Sequence, residues 1–268
     1  MNGPEYYGLT GNPFDKNFNC HGRYFESEDF RQAEARLNVL KTVRGIGVIT
    51  AESGMGKSLS LKAFTDELNP NLYHAQYICF STVTVPEFYR QLCDSFGLTD
   101  VVGKTRRVRE IKDQIQYMYT EKKQTMILIL DEAQYLNTGI LNDLKMLMNF
   151  NYDTQNYFTL ILCGEPLLKI TLSKPVHMAL RQRVTVHYEF KGLQDSEVKD
   201  YILFKLKQAG GTESMIDPAA INSVTGFSHG NPRLIDNLMT DALTIGAQQE
   251  LKSITADVIM AAEQNRSF

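Results

Sequence analysis

Apolar residues in this chain fall into two patterns, and the alternation between them predicts the fold. Three stretches are continuously apolar: GVIT (47–50), TMILIL (125–130) and FTLILC (158–163). Each is short, rich in branched side chains and followed by turn-forming or acidic residues. Such runs read as strands buried on both faces. A fourth stretch, HAQYICFS (74–81), alternates like a strand with one covered face. Between these runs the spacing becomes helical. Residues 26–44 put Phe30, Ala33, Leu37 and Leu40 on one face, with Ser27 or Glu28 placed to cap. Further helices are expected from 58, over 85–98 (proline in the first turn, Gly97 near the end), over 110–123 with Ile111, Ile115 and Met118 inward, and from 139. Residues 99–109, TDVVGKTRRVR, read as a polar, basic connection. Continuous strands alternating with amphipathic helices predict an α/β fold, a parallel sheet covered by helices on both faces.

The pattern changes near residue 194. From there SEVKDYILFKLKQAG, DPAAINSVTGFSHGNPRLIDNLMTDALTIGAQQ and TADVIMAAEQ are helical in period, with no convincing strand between them. Three regions are therefore expected: an irregular arm over 1–25 rich in Gly, Pro, Asn and aromatic residues, an α/β domain over 26–192, and a small all-helical domain over 193–268.

The run at 47–50 leads into AESGMGKS (51–58) and then a helix. Strand, glycine-rich loop, helix is the order of a phosphate cradle. Gly54 and Gly56 let the loop curl its N–H groups inward, and the helix adds the positive end of its dipole. Ser53, Gly54, Met55, Gly56, Lys57, Ser58 and Leu59 are the expected binding residues. Lys57 would reach the β- and γ-phosphates of a nucleotide, and the Ser58 hydroxyl would ligate Mg²⁺. One position departs from G-x-x-x-x-G-K-[ST]: Ala51 stands where the first glycine is usual.

The run at 125–130 delivers Asp131 and Glu132 at its carboxyl end, where ligands bind in open α/β sheets. Asp131 would hold Mg²⁺; Glu132 would polarise the water that attacks the γ-phosphate. Three further groups follow. Glu165, at the end of the third run, could orient that water or sense the phosphate, or simply precede a helix. Arg181 and Arg183, before a strand at the far end of the α/β domain, could stabilise charge on a transferring phosphoryl group across a subunit boundary, or form surface pairs. Arg233 follows Asn-Pro in the first turn of a helix, where a cation is disfavoured unless an anion faces it.

Composition adds limits. The 268 residues are 43% hydrophobic and 22% charged, with a net charge of −3, so contact with nucleic acid would need a local patch. GKTRRVR supplies one candidate: Lys104, Arg106, Arg107 and Arg109 could hold phosphates of duplex DNA, or be a solvated helix start. Cys20, Cys79, Cys93 and Cys163 are scattered without C-x-x-C spacing, which disfavours zinc and suits a reducing cytoplasm. No run approaches the ~18 apolar residues of a membrane span, and the N-terminus lacks the form of a signal peptide.

Taken in order, phosphate loop, strand ending Asp-Glu, third-strand polar residue, LRQR and GNPR resemble an AAA+ ATPase. The arm YYGLTGNPFD with RYFESEDFRQAEARL resembles its ExeA-like branch, which also contains transposition ATPases of the TniB, TnsC and IstB type. The resemblance implies a P-loop AAA+ sheet followed by a helical lid. It makes Lys57 and Ser58 the Walker A contacts, Asp131 and Glu132 Walker B, Glu165 sensor 1, Arg183 or Arg181 the finger and Arg233 sensor 2. Tyr7 to Phe14 would lie near the adenine. It further implies hydrolysis of Mg-ATP by a homo-oligomeric ring or helical filament with ATP at subunit interfaces. Two roles follow from the branch. The first is DNA transposition, with duplex DNA and a transposase as partners. The second is a secretion ATPase, ranked lower because no membrane span or wall-binding region follows Phe268. A non-hydrolysing nucleotide switch is the third reading, prompted by Ala51 and by Glu165 standing where that branch usually carries glutamine.

Overall fold

The computed structural model describes residues 3–18 and 24–266; Cys20 lies outside them. In chain order the elements are α1 (Gly3–Tyr6), α2 (Glu28–Val43), β1 (Gly45–Thr50), α3 (Lys57–Asp66), β2 (Tyr73–Cys79), α4 (Val85–Ser95), α5 (Lys104–Thr120) and β3 (Thr125–Asp131). Then come α6 (Thr138–Leu147), β4 (Phe158–Gly164), α7 (Pro166–Ser173), α8 (Met178–Arg181), β5 (Val184–Glu189), α9 (Asp195–Gln208), α10 (Pro218–Ser228), α11 (Pro232–Gln248) and α12 (Ala256–Gln264).

By their contacts the described residues divide into two units, one within 32–53 and 57–190, the other within 1–31, 54–56 and 191–268. The first holds a five-stranded sheet in the order β2-β3-β4-β1-β5, with every pairing parallel. Its continuous apolar strands are buried along their length: all seven residues of β4 are, and all but the first of β3. Leu128, Leu130, Leu160 and Leu162 pack with Phe88, Leu92, Ile111, Ile115, Ile140 and Leu144 from α4, α5 and α6. α2 buries Phe30, Ala33, Leu37 and Leu40, and Ser27 Oγ accepts from the Phe30 N–H at 3.2 Å, as a cap should. Gly47 lets α2 come close to β1, since a Cβ there would stand 2.4 Å from Leu40 Cδ2.

The second unit is helical. Val198, Ile202, Leu206, Ile235, Met239, Leu243, Val258 and Ile259 from α9, α11 and α12 share one core. The described N-terminal segment is ordered, with little regular structure. It begins with the single turn of α1, packs that turn on α11, and ties Thr10 N–H to the Ala209 carbonyl at 3.0 Å and Asn12 Nδ2 to Thr240 Oγ1 at 3.0 Å.

One boundary differs from expectation. Residues 104–109 are not a connection: α5 begins at Lys104, just after Gly103 with φ 88°. Basic residues are unfavourable at that end of a helix. Here Arg107 turns back, donating from Nε to the Val101 carbonyl at 2.8 Å and from Nη1 to the Pro86 carbonyl at 3.1 Å. Its side chain holds the entry to the helix and α4 together, something a reading by residue type takes for a loop.

Candidate functional site

The carboxyl ends of β1, β4 and β3 lie side by side, because β4 is the strand between the other two. The residues that close them are Thr50, Gly164 and Asp131. β1 runs into the glycine-rich loop, whose Gly54 and Gly56 take φ 90° and 91°, a conformation open to glycine and strained for other residues. Ala51 is buried, lies outside the left-handed region and donates its N–H to the Gly164 carbonyl at 3.1 Å. The missing first glycine is therefore no obstacle: the chain is still in strand-like register there. α3 starts at Lys57, and Ser58 and Leu59 are exposed in its first turn beside exposed Ser53.

Asp131 is 3% exposed. Its Oδ1 lies 3.7 Å from Lys57 Nζ, and its Oδ2 accepts from the Tyr77 hydroxyl at 2.5 Å. Burial, and then this bond, push the Tyr77 phenol well above its ordinary range. Cys163 and Cys79 are raised too, by burial first and then by the charge of Asp131, with Lys57 pulling the other way. Asp131 thus faces one buried ammonium, and Glu132 is the next residue in the chain.

Glu132 occupies the left-handed region at φ 56°, ψ 34°. Such a backbone costs of the order of 1 kcal/mol or more for a residue with a side chain and tends to occur at functional sites. Glu132 Oε2 accepts from Gln134 Nε2 at 2.6 Å, and Gln134 Oε1 accepts from the Glu165 N–H at 3.1 Å. Glu165 itself is the N-cap position of α7. Sequence reasoning missed Tyr77, Gln134 and Thr50, whose hydroxyl is fully buried with no hydrogen-bond partner. Their roles rest on strand register and on a contact 31 residues away in sequence.

Lys57, Asp131, Glu132 and Glu165 are thus assembled at the carboxyl end of the sheet; the arginines of the LRQR segment are not. Arg183 directly precedes β5 and so sits at the amino end, about 20 Å away along a strand of this length. Arg181 is exposed and donates to the Ser173 carbonyl at 3.0 Å. Neither can serve the phosphate loop of its own chain. In the helical unit, Arg233 is exposed in the first turn of α11, and its N–H donates to Asn231 Oδ1 at 3.0 Å and to the Gly54 carbonyl at 3.4 Å. A Cβ on Gly54 would stand 2.6 Å from both Arg233 Cβ and Asn231 Oδ1, so this approach requires glycine.

Tyr7 and Phe14 are placed by packing. The Tyr7 hydroxyl lies against Gly246, where an added Cβ would be 2.2 Å away, and burial pushes its phenol up to about 12. Gly246 is 13 residues along α11 from Arg233, about 20 Å at the helical rise. Phe14 is buried in the helical core. The four basic residues at the start of α5 are likewise engaged: Lys104 pairs with Asp143 at 2.6 Å, Arg106 and Arg109 flank Glu110 at 3.7 and 3.8 Å, and Arg107 binds the two carbonyls described above.

This sheet order with its covering helices is that of the AAA+ fold, and residues 40–172 match the family described as AAA domain. Solved structures with the same fold include Cdc6p of Pyrobaculum aerophilum (14% identity, TM-score 0.70, 96% of this chain and 71% of that one). The ORC2 protein of Aeropyrum pernix is another (13% identity, TM-score 0.68, 96% and 71%). Among curated proteins the chain is similar to the general secretion pathway protein A of Aeromonas hydrophila, 30% identical over 263 residues. That alignment takes in 96% of this chain and 47% of the relative, so the chain spans about half the relative's length. Among the described residues no helix is long and apolar enough to cross a membrane.

Proposed function

We propose that the chain binds and hydrolyses Mg-ATP at the carboxyl end of its sheet. The observation that carries this is buried Asp131 held between Lys57 and Tyr77, one residue before a strained Glu132 and with only β4 between its strand and β1, which leads into the glycine-rich loop. The residues fit the group. The loop glycines take the left-handed conformation of a cradle, Lys57 is pre-placed beside Asp131, and Ser58 is open in the first turn of α3. Among the described residues no three His, Cys, Asp or Glu converge to hold a metal by themselves; Mg²⁺ usually takes one or two protein ligands and completes its shell with phosphates and water. Ser58 and Asp131 would be those ligands. When bound, Mg²⁺ would neutralise charge developing on the phosphate oxygens. Lys57 would neutralise more of that charge, and Glu132 would accept the proton of the attacking water. Arg233 would sense the nucleotide. Arg181 or Arg183 would act only on a neighbouring copy, which makes a homo-oligomer with ATP at its interfaces part of the reading.

For the cellular role, the long alignment with a general secretion pathway protein favours an ATPase that energises a secretion assembly. Nothing of this kind stands behind a role in selecting transposition targets with DNA and a transposase, and the basic turn meant to support it is already paired with acids and carbonyls. Calorimetry on Lys57→Ala tests the site. Removing the buried ammonium should weaken ATP binding by about 100-fold or more, in the range of losing a charged partner from a buried pair. Unchanged affinity would overturn the assignment.

A further inference from the structure

The general base of such a site must point somewhere definite, and the peptide of Glu132 does not ensure it. Its backbone is left-handed, at φ 56°. Gln134 restrains it. The amide can bridge Glu132 and Glu165 in one orientation alone, because an ionised carboxylate only accepts and a peptide N–H only donates. Nε2 therefore faces Glu132 Oε2, at 2.6 Å, and Oε1 faces the Glu165 N–H, at 3.1 Å. Gly164 makes the room. A Cβ there would stand 2.4 Å from Gln134 Oε1 and 3.3 Å from its peptide nitrogen. Three residues from two strand ends thus hold one side chain in one pose.

We propose that Gln134 is a positioning residue that aims Glu132 at the attacking water and ties that aim to the peptide at Glu165. A shift at the end of β4 then reaches the base through one side chain. The inference rests on the hydrolysis reading above. One oxygen of Glu132 is occupied by Gln134, and the other is left for water. Movement of the Glu165 peptide, whose own carboxylate would meet the γ-phosphate region, would release Oε1 of Gln134 and with it the aim of Glu132.

The test uses Gln134→Ala, Gln134→Glu and Gly164→Ala in the full chain. Gln134→Ala should lower kcat by about 10- to 100-fold, the usual loss when a supporting hydrogen bond to a reacting group is removed, with KM within about threefold. Gln134→Glu keeps an acceptor for the Glu165 N–H but cannot donate to Glu132 while ionised. Its rate relative to wild type should therefore recover as pH falls from 8 to 6, which a purely structural residue would not show. Gly164→Ala should reproduce the loss by displacing Oε1. A second readout needs no turnover. Hydrogen exchange at the Glu165 amide should quicken by about tenfold in Gln134→Ala and stay near wild type in Gln134→Glu. Unchanged exchange in Gln134→Ala, or unchanged kcat, overturns the proposal. A wild-type chain that binds ATP but never hydrolyses it overturns the reading beneath it, and the exchange data show separately whether the Gln134 tie exists.

Discussion

Charge is used in opposite ways at the carboxyl end of the sheet and at the first turn of α5. At the sheet end Asp131 and Lys57 are buried at 3.7 Å, Glu132 carries backbone strain, and burial and the two carboxylates push neighbouring thiols upward. At α5 the four basic residues lie in or near solvent, and each already has an internal partner. Both stretches look equally charged in the sequence. The difference is burial. The first holds its ion pair out of water, 3.7 Å apart, beside a residue with a strained backbone. The second is neutralised by the chain itself.

The sharpest way to break this comparison is Glu132→Gln. Removing the proton acceptor while keeping the shape and the bond to Gln134 should lower ATP turnover by about 10²- to 10⁴-fold. Nucleotide affinity should barely move, because Lys57, Ser58 and Asp131 remain. Steady-state phosphate release set against calorimetric affinity reads the two effects apart. Equal turnover in wild type and variant would turn the sheet end into a nucleotide switch, and would put the two charged regions on the same footing.

Much of this contrast was legible in the sequence, and the exceptions share a cause. β1, β3 and β4 announce themselves because strands buried on both faces have no polar alternation to confuse with a helix. Lys57, Asp131 and Glu132 follow from the spacing of a loop and a strand end. The start of α5 was hidden because Gly103 and the basic run look like a loop, while what completes the turn is Arg107 reaching carbonyls of Val101 and, 21 residues back, Pro86. Tyr77 depends on the pairing of β2 with β3, in which Ile78 stands opposite Leu130. Gln134 depends on a peptide at the end of another strand. The resemblance places Tyr7 and Phe14 near the adenine; what the fold adds is that Tyr7 packs against α11 and Phe14 in the helical core. Periodicity reports one residue's preference; these residues depend on partners remote in the chain.

A middle-sized effect separates the residues within α5. Arg107→Ala removes two hydrogen bonds to carbonyls from a half-buried guanidinium and should cost about 1–2 kcal/mol of stability. The double reversal Arg106→Glu with Arg109→Glu breaks only exposed pairs to Glu110 and should stay within about 0.5 kcal/mol. Denaturant titration ranks them. The same proteins test the partner: duplex-DNA binding at low salt should be absent or indifferent to the reversal. Salt-sensitive binding that falls tenfold or more on reversal would return this turn to a nucleic-acid role.

The smallest effect concerns His177, which lies in the short turn before α8 and is almost wholly buried, with Nδ1 lacking a partner. Burial, and then the charge of Lys174, lower its pKa from the ordinary histidine value. The folded state therefore binds the proton less readily than the unfolded chain. Stability on this account is fully present above the unfolded value near 6.5 and declines as pH falls below it, because the unfolded state takes up the proton first. The melting temperature should fall on acidification through that range, and His177→Gln should flatten the slope. The measurement bears on the main contrast. Any pH profile of turnover recorded for Glu132 or Gln134 variants contains this background, and dividing by the His177→Gln profile leaves the part that belongs to the sheet end. An unchanged slope in His177→Gln would assign the background to other groups and leave the turnover profiles uncorrected by this residue.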